Sequence, residues 1–361
     1  MIPHEINQLV FGWQEQVDDE IGVVTEYFEA SQRITILRSE MGTLNTDYEW
    51  AALATLEAEI HKLEERKKVL AGTVERIIEK QIRDTLTEQG IFNPVVGLKI
   101  NFPPLNFKLE KLPYLLVISP REKIESMREI ILNANLIVRK MENIEARVDE
   151  LGVSSLVVGL GGLGATYPTL VSDKASLRST IDISAEEWLH QYLMFKPLGF
   201  LYLLDVTGLS RNYEISTMNE TLAGMVSQEI GSMVYEKYYS EYKSGFGQSQ
   251  TELSFDFNRE MKEIRKTVDV YLALGEIEQA EEFMAEKRLH LSLMGYYVRK
   301  LNQAYFAFYG TYADKPAFIN PIGLELKELR SQSTSLKNFL NTAAGMTNRQ
   351  QLRDSVKQNG E

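Results

Sequence analysis

The sequence predicts a predominantly helical α+β fold: a long N-terminal helical hairpin, a small mixed sheet and a helical unit that carries the chemistry. Three observations predict it. The first ninety residues hold almost no proline after Pro3, the composition turns proline-rich and β-rich near Asn93, and helical periodicity returns and lasts to the end. The expected organisation is a hairpin over residues 1–92, an α+β core over 93–250, a helical region over 251–345 that completes the core, and a polar tail over 346–361.

In the hairpin, Leu56, Ile60, Leu63, Leu70, Val74 and Ile77 recur at alternating four- and three-residue steps. That spacing makes one apolar seam, with Lys67 the single charged residue on it. The repeat covers about four heptads, so an intramolecular hairpin is expected rather than a dimerising coiled coil. Pro94, Pro103, Pro104 and Pro113 then punctuate strand-like pieces at 95–102 and 114–119. Residues 120–151 read as helix, with Ser119 as N-cap, Pro120 at the first helical position, and Ile124, Met127, Ile130, Ile131, Leu136 and Ile137 as its apolar face. Residues 154–158 read as a buried strand and 165–171 as extended. A short extended piece at 179–183 leads into a helix from Glu186 to about Phe195. Further helices are expected at 218–243, 255–274, 277–304 and after Pro321. Residues 244–250 form a polar linker, and Gly275 marks a helix–helix turn.

The 361 residues carry 39 Lys+Arg, 51 Asp+Glu and no cysteine, so the formal charge is −12. Without cysteine there is no disulfide framework, thiolate nucleophile or Cys-ligated metal site. Only four histidines are present, which leaves any metal site to depend on carboxylates. The acidic balance repels phosphate backbones, and no block of five or more Lys/Arg offsets it, so nucleic acid is not an expected partner. The N-terminus lacks the pattern of a signal peptide, and the apolar stretches 156–171 and 193–206 are too short or interrupted to span a bilayer. A cytoplasmic protein without an integral membrane segment is expected.

Gly159, Gly161 and Gly164 satisfy G-x-G-x-x-G after a strand-like run. Pro168 follows four residues later where a nucleotide site needs a helix to begin, so no nucleotide cofactor is expected. The glycines suit tight backbone packing, or an open strand edge that offers amides to a peptide.

The segment Ile183–Tyr192 holds the sharpest chemical pattern. On a helix, Glu186 and His190 are one turn apart and can close on one ion, with Glu187 beside them to take a proton from a water. This is the geometry of H-E-x-x-H with Glu186 in place of the first histidine. The competing account is an amphipathic helix start in which Ser184 is the N-cap and Glu187 completes a capping box. Thirty residues after His190, Asn219-Glu220-Thr221-Leu222-Ala223 lies on another helix, and Glu220 offers a third ligand.

These paired helices resemble the gluzincin metallopeptidases, and are especially similar to bacterial aminopeptidase-like proteins bearing H-E-x-x-H and N-E-[ST]-x-A helices. The resemblance spans roughly residues 150–345 and includes the Asn- and Tyr-bearing segment from Leu301 to Tyr312. It implies Zn2+ as cofactor, His190 and Glu220 as ligands, and Glu187 as general base. It also implies an oxyanion-stabilising tyrosine among Tyr305, Tyr309 and Tyr312, and a substrate-binding strand edge at Gly161, Gly162 and Gly164. Glu186 departs from the pattern. A set of Glu186, His190 and Glu220 is harder than a two-histidine site and discriminates less against metals such as Mn2+. The expected activity is metal-dependent hydrolysis of a peptide or protein. The alternative is an inactive relative that binds one.

Overall fold

The computed structural model describes residues 4–43, 50–94, 100–163, 166–242, 256–309 and 321–358. Two long helices, α1 (His4–Thr43) and α2 (Trp50–Glu88), form the expected hairpin. Ile60, Leu70, Val74 and Ile77 are buried along the seam, against partners on α1 that include Val24, Tyr27 and Leu37.

The strands make two small sheets. The first joins β1 (Phe107–Glu110), β5 (Gly162–Leu163) and β6 (Thr169–Ser172) in the order β1-β6-β5, with β1 parallel and β5 antiparallel to β6. The second joins β2 (Tyr114–Pro120), β3 (Arg128–Leu132) and β4 (Val153–Gly159) in the order β3-β2-β4, all antiparallel. Helix α3 (Val138–Asp149) covers one face of the second sheet through Met141. Helix α9 (Gln303–Tyr309) covers the other through Ala304.

The helix expected over 120–151 is a correction. Its first half is loop and strand, because Pro120 ends β2 rather than starting a helix, and 128–132 pairs with β2. The Ser119 hydroxyl accepts from the Glu125 amide across the turn, at 3.3 Å, instead of capping a helix. Ile130 packs on the sheet while Ile131 is 69% exposed, the alternation of a one-faced strand.

Helices α4 (Leu177–Leu193), α5 (Pro197–Val206) and α6 (Tyr213–Tyr239) form the body that holds the chemical residues. Helix α4 starts earlier than its sequence suggests. Ser176, not Ser184, is its N-cap, accepting from the Ser179 amide at 3.1 Å, and Ser184 is buried in the helix interior. The capping-box account of Glu187 therefore fails, and no extended piece exists at 179–183. Helix α6 is capped by Asn212, which accepts from the Ile215 amide at 3.2 Å. Pro197 opens α5 at the position where its missing N–H costs nothing.

Helices α7 (Phe257–Ala273) and α8 (Ile277–Leu293) pair around Met261, Ile264, Val268 and Met284, joined at Gly275, whose φ of +78° needs glycine. The helix expected over 277–304 breaks after Leu293 and resumes as α9. Helices α10 (Pro321–Gln332), α11 (Leu336–Ala344) and α12 (Arg349–Gln358) close the fold. The last occupies the stretch expected as a polar tail, with Leu352 fully buried. One core unites the hairpin with α4, α6, α10, α11 and α12, so the N-terminal region packs as part of the body. Among the described residues no helix is long and apolar enough to cross a membrane. The expected linker at 244–250 lies outside the described residues.

Candidate metal centre

Helix α4 is fixed before its chemical residues come into play. Leu189 and Ile181 are fully buried in the main core, and Trp188 Nε1 donates to the Pro103 carbonyl at 2.7 Å. Gln191 donates to Thr169 Oγ1 on β6 at 3.1 Å. The face left over carries Glu186 and His190 one turn apart, as their spacing requires. Across from it α6 is pinned by fully buried Met218 and Leu222, which turns Glu220 toward α4.

Glu186, His190 and Glu220 each offer a ligand atom, and these atoms lie within 4.8 Å of one another. His190 Nε2 and Glu220 Oε2 are 3.6 Å apart, and the two side chains are 19% and 16% exposed. Ligand atoms about 2.1 Å from a tetrahedral ion stand about 3.4 Å apart. The His190–Glu220 spacing already matches, and a small closure of Glu186 completes the set. One imidazole and two carboxylates also neutralise a divalent cation, so the residues fit a metal in both spacing and charge.

The neighbours orient these donors. Asn219 is fully buried, and its Nδ2 stands 3.2 Å from His190 Nδ1, while its Oδ1 has no hydrogen-bond partner. Turning that amide end for end presents Oδ1 to an Nδ1–H, the tautomer that frees Nε2 to bind a metal. Tyr202 on α5 stacks on the His190 ring, with centroids 5.9 Å apart and planes at 22°, and its hydroxyl donates to Glu220 Oε1. Burial raises the Tyr202 hydroxyl above the usual tyrosine range, with the Glu220 carboxylate adding to the rise, so it stays a donor. Oε2 of Glu220 is left facing His190.

Glu187 projects to the side, against β5. A Cβ placed on Gly162 would stand 2.8 Å from Glu187 Oε1 and 2.8 Å from Ile183 Cγ2, and one on Gly161 would stand 3.1 Å from Ile183 Cδ1. The glycines thus let a strand edge approach α4 at the level of Glu187. Burial pushes the Glu187 carboxyl above its ordinary range; His190 pulls the other way and the Glu220 charge adds to the rise. A carboxyl so placed is a better proton acceptor than one in water.

Tyr305 and Tyr309 pack against each other, with centroids 4.5 Å apart and planes at 44°, in the apolar clusters where α9 meets β2 and β4. Gly164 and Tyr312 lie outside the described residues. Among the described residues Tyr202 meets the trio, a tyrosine which sequence reading passed over inside an apolar stretch; Lys196-Pro197 was the available sign of a helix start there. The run Gly159–Gly162 leads into β5, and the next helix among the described residues begins at Leu177.

No family model, no curated protein and no solved structure matches this chain.

Proposed function

We propose that the protein is a metallopeptidase-like hydrolase that binds a divalent metal on Glu186, His190 and Glu220 and uses Glu187 as general base. The convergence of those three ligand atoms within 4.8 Å, from two helices thirty residues apart in sequence, carries the reading. A divalent ion at this position supplies Lewis acidity toward a carbonyl oxygen and lowers the pKa of a water. The chain's own part is positional. Glu187, raised by burial, takes the proton of the attacking water, and its carboxyl sits beside the β5 edge that aligns an extended peptide. Tyr202 holds Glu220, and Asn219 holds His190.

Glu186 favours a second reading, a peptide- or protein-binding relative without turnover. A second carboxylate donates more charge than imidazole and leaves a water less acidic than in a two-histidine site.

Metal analysis of the purified protein after loading with Zn2+ or Mn2+, together with peptide-library cleavage, tests both. About one equivalent of metal, lost in His190→Ala, with cleavage abolished by Glu187→Gln, is the expected result. Metal without cleavage selects the binding protein. No stoichiometric metal rejects the hydrolase and leaves the binding protein.

A further inference from the structure

A groove of about 610 Å³ runs between the helical hairpin and β1, at the edge of the β1-β6-β5 sheet opposite β5. Its volume falls within the roughly 300–1,000 Å³ of small-molecule sites. Lys67 lines it, at the one seam position of α2 where the heptad pattern calls for an apolar residue. The neighbouring seam positions Leu70, Val74 and Ile77 are buried core, so a lysine here spends stability that a leucine would have contributed.

The Lys67 ammonium has few partners. It donates to the Asp173 backbone carbonyl at 3.0 Å and sits 4.8 Å from the centre of the Tyr27 ring. Among the described residues no carboxylate stands within ion-pair distance of it. Burial lowers its pKa; Asp173 and Glu64 oppose that shift, while Arg38 and Lys111 add to it by like-charge repulsion. Glu64 and Glu75 are already engaged by Arg38 and Lys108, while the Asp173 carboxylate also lines the groove. Exposed Lys68, Lys111 and Lys174 complete the cationic side of the lining, whereas Glu65 and Glu110 are exposed on the other. A half-buried ammonium whose hydrogen-bond and ring partners are neutral, and which Arg38 and Lys111 repel, is further stabilised by an incoming anion.

We propose that this groove binds a small molecule carrying a phosphate or carboxylate group, with Lys67 as its innermost contact. The site is independent of the metal centre, so its test stands whatever the outcome there.

Titration calorimetry of the full chain with inorganic phosphate and with citrate, at about 150 mM salt to screen loose surface association, tests it. Saturable one-site binding of at least one probe is expected, and which one binds identifies the head group. Lys67→Met should weaken that binding at least tenfold. Gly72→Trp provides a variant that leaves every charge in place. Gly72 lines the groove, and a Cβ there meets nothing within 4 Å, so a side chain can start from this position into the groove. It too should abolish binding, with an unchanged or raised melting temperature, since glycine is the weaker helix former. Absence of saturable binding by both probes, or wild-type affinity in either folded variant, overturns the proposal.

Discussion

The carboxylate of Glu187 rests against the bare backbone of Gly162, so close that a single added Cβ would stand 2.8 Å from Oε1. Gly162→Ala should therefore displace the Glu187 and Ile183 side chains, destabilising the protein by about 1 kcal/mol through overpacking. Under the proposed function it should lower kcat about tenfold with metal content unchanged. Gly161→Ala meets only the flexible end of Ile183 and should have a smaller effect. Steady-state kinetics beside metal analysis checks the pair; equal kcat in both variants and wild type would remove Gly162 from the site.

Tyr202→Phe keeps the ring stacked on His190 and deletes the hydroxyl that holds Glu220. Outer partners of metal ligands typically contribute about 10–100-fold in affinity. A fall of about tenfold in Zn2+ affinity is expected by competition with a chelating dye, with little change in melting temperature. Unaltered affinity would show that Glu220 needs no such support.

The hairpin and the site were unequally legible. The seam from Leu56 to Ile77 announced the hairpin because a long amphipathic helix repeats its signal many times over. The i,i+4 spacing of Glu186 and His190 announced a shared face for the same reason. Between 120 and 137 the apolar residues sit at spacings that suit either period, and pairing with β2 decided for a strand. Tyr202 was hidden for a different reason: its partners, His190 and Glu220, are brought to it only by the packing of α5 on α4 and α6, and no local spacing encodes that. The early start of α4 rested on a single serine, Ser176, in competition with Ser184.

Glu79 accepts the Phe107 amide at 2.9 Å, and burial raises its pKa above the ordinary 4.5. The folded state then binds more protons than the unfolded one as pH rises from about 4.5, so stability falls through that window up to the raised pKa. Glu79→Gln keeps a carbonyl for the Phe107 amide and removes the titration. Urea unfolding between pH 4.5 and 7 should show a flatter profile for the variant than for wild type. Parallel profiles would contradict the assignment.

Glu145 on α3 is 3% exposed and is held by Arg299 through contacts of 2.6 and 2.8 Å, with the Val157 amide as a third donor at 2.6 Å. Arg299→Met leaves that carboxylate buried without its main counter-charge, at a cost of about 3 kcal/mol. The double variant Glu145→Gln/Arg299→Met should recover part of the loss, because the orphaned charge is gone. Chemical denaturation of the three proteins measures it; no recovery in the double variant would mean that packing of the arginine stem, rather than its charge, is what matters.

The Phe107 and Leu109 amides on the outer rim of β1 are both taken by carboxylates of α2, from Glu79 and Glu75, each at 2.9 Å. Two glutamates thus stand in for a missing neighbour strand and seal that rim against pairing with another chain. Among the described residues the little sheet is left one-sided: under the proposed function, an extended segment would lengthen it along β5, the border that runs past Glu187. In that sense the hairpin does more than brace the body, for it closes one border of the sheet with side chains instead of a strand.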